Sequence, residues 1–204
     1  MISYKEKFQN VKALVFDVDG VFTDGSVILD QNGDLQRIMN TKDGFIVKYA
    51  IDMGIDVAII SGGKSNAVLR RFMDLGLDDV YLGVKGVFSA EFKSKVCPNA
   101  VPKKSDKDGT KCKEANKMDT LRKFCDKKGI DLKTQVLYMG DDIPDLEILS
   151  NVYLSTCPKD AVSEVQNVSD YISQYSGGKG CVRDVVEQVL RAQDKWLTNT
   201  VSAQ

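Results

Sequence analysis

The stretch "VFDVDGVFTDG" (15–25) places two aspartates, Asp17 and Asp19, at the end of the apolar run Val11–Val18, with Thr23 and Asp24 a few residues on. Side chains two apart on a regular strand share a face, so both carboxylates could address one ligand. Three further polar features stand after later apolar runs: Ser61 in "IISGG", a lysine (Lys85 or Lys117), and Asp141 with Asp142 in "YMGDDIPD". Taken singly, each has a plain structural reading. A D-x-D is a polar strand end, "GDD" before a helix is an N-cap, and "SGG" is a turn. Taken together they describe a site. Aspartates gathered in one place repel one another unless a cation sits among them. Oxygen donors without imidazole or thiolate favour Mg²⁺, which takes a few carboxylates and keeps water or phosphate oxygens as its other ligands. Ser61 and the lysine would suit a phosphate, and Gly62 and Gly63 would let backbone N–H groups approach the same oxygens.

Pieces so far apart in sequence can meet only if each ends a strand of one sheet. Strands are predicted over Val11–Val18, Ile55–Ile60, Asp79–Leu82, Val136–Met139 and Val152–Ser155, with a weaker one at Tyr171–Ile172. Amphipathic stretches between them predict helices over Asp43–Met53, Ser65–Leu75, Lys117–Lys128, Asp145–Ser150, Ala161–Val168 and Cys181–Ala192, with Gly54, Gly76 and Gly129 where C-terminal caps belong. This alternation argues for an α/β fold, a central parallel sheet flanked by helices, in one domain spanning 1–204. In an open sheet of this kind the C-terminal strand ends share the edge where ligands bind. Two segments break the rhythm. Residues 25–39 alternate apolar and polar around Asn32-Gly33, a strong hairpin signal. Residues 86–116 are rich in lysine and polar residues and read as an insertion or long loop with a solvated surface.

The bulk numbers narrow the field further. The chain has 204 residues, 43% hydrophobic and 28% charged, enough to bury a substantial core. A formal net charge of -1, from 28 basic and 29 acidic residues, gives no reason to expect nucleic acid or an anionic membrane as partner. No apolar run approaches the roughly 20 residues of a membrane span. The N-terminus lacks the apolar stretch of a signal peptide, so the sequence reads as cytoplasmic. Five cysteines without a C-x-x-C, in such a setting, read as free thiols. Histidine is absent, which excludes a histidine triad, a histidine base and His-ligated zinc. Acid–base chemistry near neutral pH falls to carboxylates, lysines, tyrosines or metal-bound water.

With "DVDGVFTD", Ser61, a lysine and "GDDIPD" in that order, the sequence resembles the haloacid dehalogenase (HAD) superfamily of phosphohydrolases. The motifs "DVDGVFTDG", "NTKDG", "GDDIPDLEIL" and "GGKGCVRDVVEQVLRAQDKW" are similar to those of the 3-deoxy-D-manno-octulosonate 8-phosphate (KDO 8-phosphate) phosphatases, which serve lipopolysaccharide synthesis. The resemblance covers nearly the whole chain apart from the insertion. It implies a Rossmann-like HAD fold with a hairpin flap and no large cap domain. It also implies a Mg²⁺-dependent phosphomonoester hydrolase in which Asp17 attacks phosphorus and Asp19 serves as acid and then base. Asp17, the Asp19 backbone carbonyl and Asp141 would hold the metal, and Ser61 and Lys117 would bind the phosphate. Asn40, Thr41, Lys42, Asp43, Gly44 and Arg71 match sugar-acid contacts. The family's hairpins join four subunits, so a homotetramer is expected, with Gly177–Gly180, Lys179 and Arg183 reaching a neighbour's site.

The sequence departs from the pattern at two places. Gly63 stands where many relatives carry arginine, with Lys64 beside it as a possible compensation, and where a phosphatase for a nine-carbon sugar acid phosphate (KDN 9-phosphate) carries an acid. The 86–116 segment also separates "GVKG" from "NKMDTL", and the latter favours Lys117 over Lys85 as the phosphate-binding lysine. Among enzymes the runner-up is a phosphatase or phosphomutase for another small phosphometabolite. Outside enzymes, a response-regulator receiver and an inactive HAD scaffold share some of these features.

Overall fold

Apolar runs with little polar alternation need cover on both faces, and the chain supplies it with helices above and below one sheet. A computed structural model describes residues 3–31, 33–86, 88, 92 and 116–198. In chain order the strands are β1 (Ala13–Phe16), β2 (Ile28–Leu29), β3 (Leu35–Gln36), β4 (Asp56–Ile60), β5 (Asp79–Tyr81), β6 (Val136–Met139), β7 (Leu154–Cys157) and β8 (Tyr171–Ile172). The helices are α1 (Tyr4–Lys7), α2 (Thr41–Asp52), α3 (Asn66–Asp74), α4 (Lys117–Lys128), α5 (Leu132–Gln135), α6 (Leu146–Leu149), α7 (Ser163–Val168) and α8 (Cys181–Ala192). Six strands form a parallel sheet in the order β5-β4-β1-β6-β7-β8. The chain therefore runs outward from β1 on one side, then returns to start again at β6 on the other. Ligands bind outside the strand ends at such a reversal. Asp17 follows β1 and Asp141 lies just past β6, so the reversal makes them neighbours.

Alternate residues of each strand face opposite layers. Leu14, Phe16, Val57, Ile59, Leu137 and Met139 pack with α2, α3 and α8. Ala13, Val15, Ala58, Ile60, Val136 and Tyr138 pack with α4, α6 and α7. Six residues of α8, Cys181, Val182, Val185, Val186, Val189 and Leu190, are fully buried. Among the described residues, no helix is long and apolar enough to cross a membrane. Cys125, Cys157 and Cys181 are free, as expected.

Several boundaries differ from the sequence-based expectation. β1 ends at Phe16 rather than Val18, because the N–H groups of Val21, Phe22 and Thr23 all turn back to the Val18 carbonyl. The two-apart pleat argument for Asp17 and Asp19 fails for that reason. β7 begins two residues late, since the N–H groups of Asn151 and Val152 are still bonded to the Ile148 carbonyl at the end of α6. α2 begins at Thr41 rather than Asp43, with the Asn40 side chain accepting from the Lys42 N–H. The hairpin is present as β2 and β3. Its turn closes through Gly33 N–H to the Asp30 carbonyl, with Gly33 at φ 82°, where glycine meets no steric penalty. The 86–116 segment lies outside the described residues except at Gly86, Phe88, Phe92 and Asn116. Its two ends come together, because Lys85 and Asn116 form a parallel bridge.

Candidate active site

A turn, two strand ends and one helix start converge beside β1. Asp17, the residue after β1, is buried, and its Oδ1 accepts from the Val18 N–H at 2.7 Å. Lys117 is the first residue of α4, a helix capped by Asn116 Oδ1 at the Asp119 N–H. Its ammonium donates to Asp17 Oδ2 at 2.7 Å and to Asp145 Oδ1 at 2.8 Å, and its side chain is only 5% exposed. Lys117 therefore stands beside Asp17, while Lys85 sits at the base of the insertion. Ser61, after β4, is buried, and its Oγ accepts from the Gly63 N–H at 3.2 Å. Its hydroxyl hydrogen remains available to a phosphate oxygen.

Asp141 reaches the same place from β6. A Cβ on Gly20 would lie 1.9 Å from Asp141 Oδ2, so only glycine, here at φ 80°, lets this carboxylate enter the turn after β1. Oxygens of Asp17, Asp141 and Asp145 lie within 4.8 Å of one another. Burial and then the neighbouring Asp145 push Asp17 up to about 6, against the opposing pull of Lys117. Burial, Asp145 and Asp17 push Asp141 up to about 8. Burial alone would lower Lys117, but Asp145 and Asp17 outweigh it and hold the ammonium above its ordinary range. The cluster carries more negative charge than one lysine neutralises, which is the condition a hard divalent cation relieves.

Asp145 and Tyr138 are working parts that the sequence reading passed over. Asp145 is fully buried. It accepts from Lys117, from the Tyr138 hydroxyl at 2.6 Å and from the Asp141 N–H at 3.2 Å. With those donors in place it holds Lys117 and the Asp141 backbone, leaving Asp17 and Asp141 as the carboxylates that could take a cation. The signal was present as the last residue of "GDDIPD", three after Asp142. Asp142, expected in the cluster, is instead exposed and caps the short 3-10 turn Ile143–Asp145 by accepting from the Ile143 N–H.

Asp19 turns to the other side of the mouth, where Arg37 of the hairpin grips it with Nε on Oδ1 at 2.5 Å and Nη2 on Oδ2 at 2.9 Å. Arg37 was not foreseen. The cation beside Gly63 is this guanidinium, 3.0 Å from where a Cβ on Gly63 would be. The Lys64 stem lies elsewhere, against Gly83.

A cavity of about 700 Å³ opens between hairpin and α3, lined by Arg37, Met39, Lys64, Ser65, Val68 and Arg71 among others. Arg71 lies over Gly44, where a Cβ would come 2.7 Å from its guanidinium, so Gly44 makes room for it. Thr41 and Lys42 are exposed at the start of α2. Asn40 caps that helix and donates to the Gly178 carbonyl at 3.4 Å. Asp43 is not at the surface at all. It is fully buried, and its Oδ1 accepts from the Arg183 N–H at 2.8 Å, capping α8. Its expected contact with a sugar gives way to this role because two helix starts, α2 and α8, abut there.

The "GGKG" loop lies against the turn after β1. Gly177 and Gly178 pack in their own chain. The Gly178 N–H donates to the Val21 carbonyl, and a Cβ on Gly177 would stand 2.0 Å from the Gly20 carbonyl oxygen. Lys179 points outward, its side chain 65% exposed and 3.7 Å from Asp24.

Comparison with known proteins yields consistent relatives. A family model described as haloacid dehalogenase-like hydrolase matches residues 111–183. The chain is 30% identical over 189 residues to 3-deoxy-D-manno-octulosonate 8-phosphate phosphatase KdsC of Escherichia coli K12, covering 93% of this chain and 84% of that protein. The crystal structure of the Yersinia pestis 3-deoxy-D-manno-octulosonate 8-phosphate phosphatase superposes with TM-score 0.77 at 26% identity, covering 94% of this chain and 87% of that one. That of the Moraxella catarrhalis phosphatase, in complex with magnesium, phosphate and KDO, gives TM-score 0.75 at 28% identity over 94% of this chain and 92% of the other.

Proposed function

Since the chain belongs to the haloacid dehalogenase-like hydrolases, in the branch that holds the KDO 8-phosphate phosphatases, we propose that it hydrolyses a phosphorylated sugar acid, KDO 8-phosphate, to KDO and phosphate. The observation that carries this reading is the buried Asp17–Lys117–Asp145 network at the strand reversal, with Ser61 on one side and Asp19 at the mouth. The oxygen donors of Asp17 and Asp141 and the Asp19 backbone carbonyl would hold Mg²⁺. When bound, that ion supplies charge neutralisation to the phosphoryl oxygens.

Asp17 attacks phosphorus and becomes an aspartyl-phosphate, releasing the sugar oxygen. Asp19 gives that oxygen its proton, then takes one from the water that hydrolyses the acyl phosphate. Lys117, held by Asp145, keeps its charge against the transferring group, and Ser61 donates a hydrogen bond to it. Arg71 lines the cavity beside the hairpin, and its planar fork would grip the sugar carboxylate. The sheet order, with reversal between the first and fourth parallel strands, is not the receiver order 2-1-3-4-5, and this argues against a receiver.

The same reading makes the enzyme a cytoplasmic homotetramer serving lipopolysaccharide synthesis. The hairpin supports assembly, since Val27, Ile28, Leu29, Leu35 and Ile38 are all exposed, Ile38 to 74%. An exposed apolar face of that kind fits a second copy of itself. Gly177–Gly180, with Lys179 exposed among them, and Arg183 would reach a neighbour's site. The deciding experiment is phosphate release with Mg²⁺ from a panel of phosphorylated sugar acids and neutral phosphometabolites. KDO 8-phosphate should give the highest kcat/KM. A preference for KDN 9-phosphate would move the substrate within its class, and a preference for neutral esters would overturn the reading.

A further inference from the structure

Arg37 is a hairpin residue whose position a free-standing flap does not explain. Its neighbours Leu35, Gln36 and Ile38 are exposed, yet its own side chain is only 6% exposed. Burying a guanidinium is costly unless its donors are used. Here they are. Nε and Nη2 take the two oxygens of Asp19, and Nη1 donates to the Leu35 carbonyl at 3.0 Å. The partner is the carboxylate at the mouth of the site, whose own backbone offers it no comparable hold, because β1 has ended and the chain is already turning at Val18.

The pair needs space, and Gly63 provides it. A Cβ at that position would stand 3.0 Å from Arg37 Nη2, 3.1 Å from Asp19 Oδ2 and 3.6 Å from Ser61 Oγ. The first two distances are tighter than ordinary side-chain packing, so a larger residue at 63 would press on the ion pair rather than on Ser61. The absence of a side chain on one loop and the buried arginine on another are two halves of a single arrangement.

We infer that Arg37 is a positioning residue for Asp19, reaching from the hairpin through the gap at Gly63 to fix the carboxylate that serves the leaving oxygen. The pair holds both oxygens of Asp19 at fixed positions at the mouth of the site. A bidentate fork fixes both distance and plane, which a lysine would not. The inference rests on the proposed acid role of Asp19, and it makes the hairpin a part of the catalytic machinery as well as an assembly element.

The test compares two substrates by kcat/KM, which reports the steps up to departure of the leaving group. KDO 8-phosphate releases an alkoxide that must be protonated, whereas p-nitrophenyl phosphate releases a phenolate that leaves unaided. Arg37→Ala should lose about 10- to 100-fold on the sugar ester, part of the roughly 10²–10⁴-fold a positioned acid supplies, and far less on the phenyl ester. Arg37→Lys should fall between, and Gly63→Val, with Arg37 intact, should reproduce the same split. Equal losses on both esters would mean a merely structural role, and unchanged kinetics on both would mean none. Either result overturns the inference. If wild-type protein turns over some other alkyl phosphate instead, the substrate reading fails and the same comparison on that ester still decides Arg37. If it hydrolyses no phosphomonoester, both fail.

Discussion

Replacing Lys117 with alanine tests the site and its packing at once. The ammonium sits between Asp17 and Asp145 at 2.7 and 2.8 Å, with a side chain 5% exposed. Removing it leaves two buried carboxylates facing each other without their cation. Breaking a buried pair by deleting one partner costs about 3–5 kcal/mol. For a chain of 204 residues that corresponds to a drop in Tm of about 6–20 °C. The loss should depend on pH. A carboxyl whose pKa is raised by folding binds a proton in the folded state that the unfolded chain lacks, so stability falls as pH rises toward the folded pKa. Without Lys117, Asp17 loses the influence that now opposes its rise to about 6. The variant should therefore be closest to wild type near pH 5 and furthest from it near pH 8. Urea titrations of metal-free protein at both pH values measure this, and phosphate release measures activity, expected to fall by more than about 100-fold. Lys85→Ala, a change at an exposed position, should cost less than about 0.5 kcal/mol. A Lys117→Ala protein as stable as wild type at pH 8, or one outperformed by wild type less than Lys85→Ala is, would refute the assignment.

Asp17→Asn should abolish turnover while the protein folds normally, since it replaces a carboxylate already pushed toward its neutral form with a neutral group of the same shape; near-wild-type phosphate release by the folded variant would sink the nucleophile. Asp141 is held near about 8, so metal-free protein should lose stability as pH rises from about 4 through 8, and Mg²⁺ should bind more tightly across that rise while releasing protons. Calorimetry in buffers of different ionisation enthalpy reads this, and pH-independent binding would contradict it. Leu29→Lys with Ile38→Lys, both positions more than 70% exposed, should lower the mass of the assembly in light scattering. A fully active wild-type monomer would refute the tetramer outright. Truncation after Ser176 is no substitute, because α8 is part of the core.

Fold class and much of the site were legible because both depend on local pattern. Buried strands read as apolar runs, and β6, α4 and α8 lie over the very residues the periodicity predicted. Asp17, Ser61 and Asp141 follow such runs, so the strand-end rule alone brought them to one edge. Lys117 was favoured over Lys85 by the likeness of "NKMDTLRKFC" to the family's lysine and the helix that follows it. What local pattern does not contain is the direction of a side chain once its strand has ended. Asp17 and Asp19 part company because the chain turns at Val18, sending one carboxylate to Lys117 and the other to Arg37. Asp43 and Asp142 look like site residues and are helix caps, since each is nearest to an unsatisfied backbone N–H. Asp145, Tyr138 and Arg37 look like ordinary residues of a turn, a strand and a hairpin. They became parts of the site only when the sheet and the flap were assembled around one lysine and one glycine-sized gap, because a buried charge must find its partner in space, wherever that partner lies in the sequence.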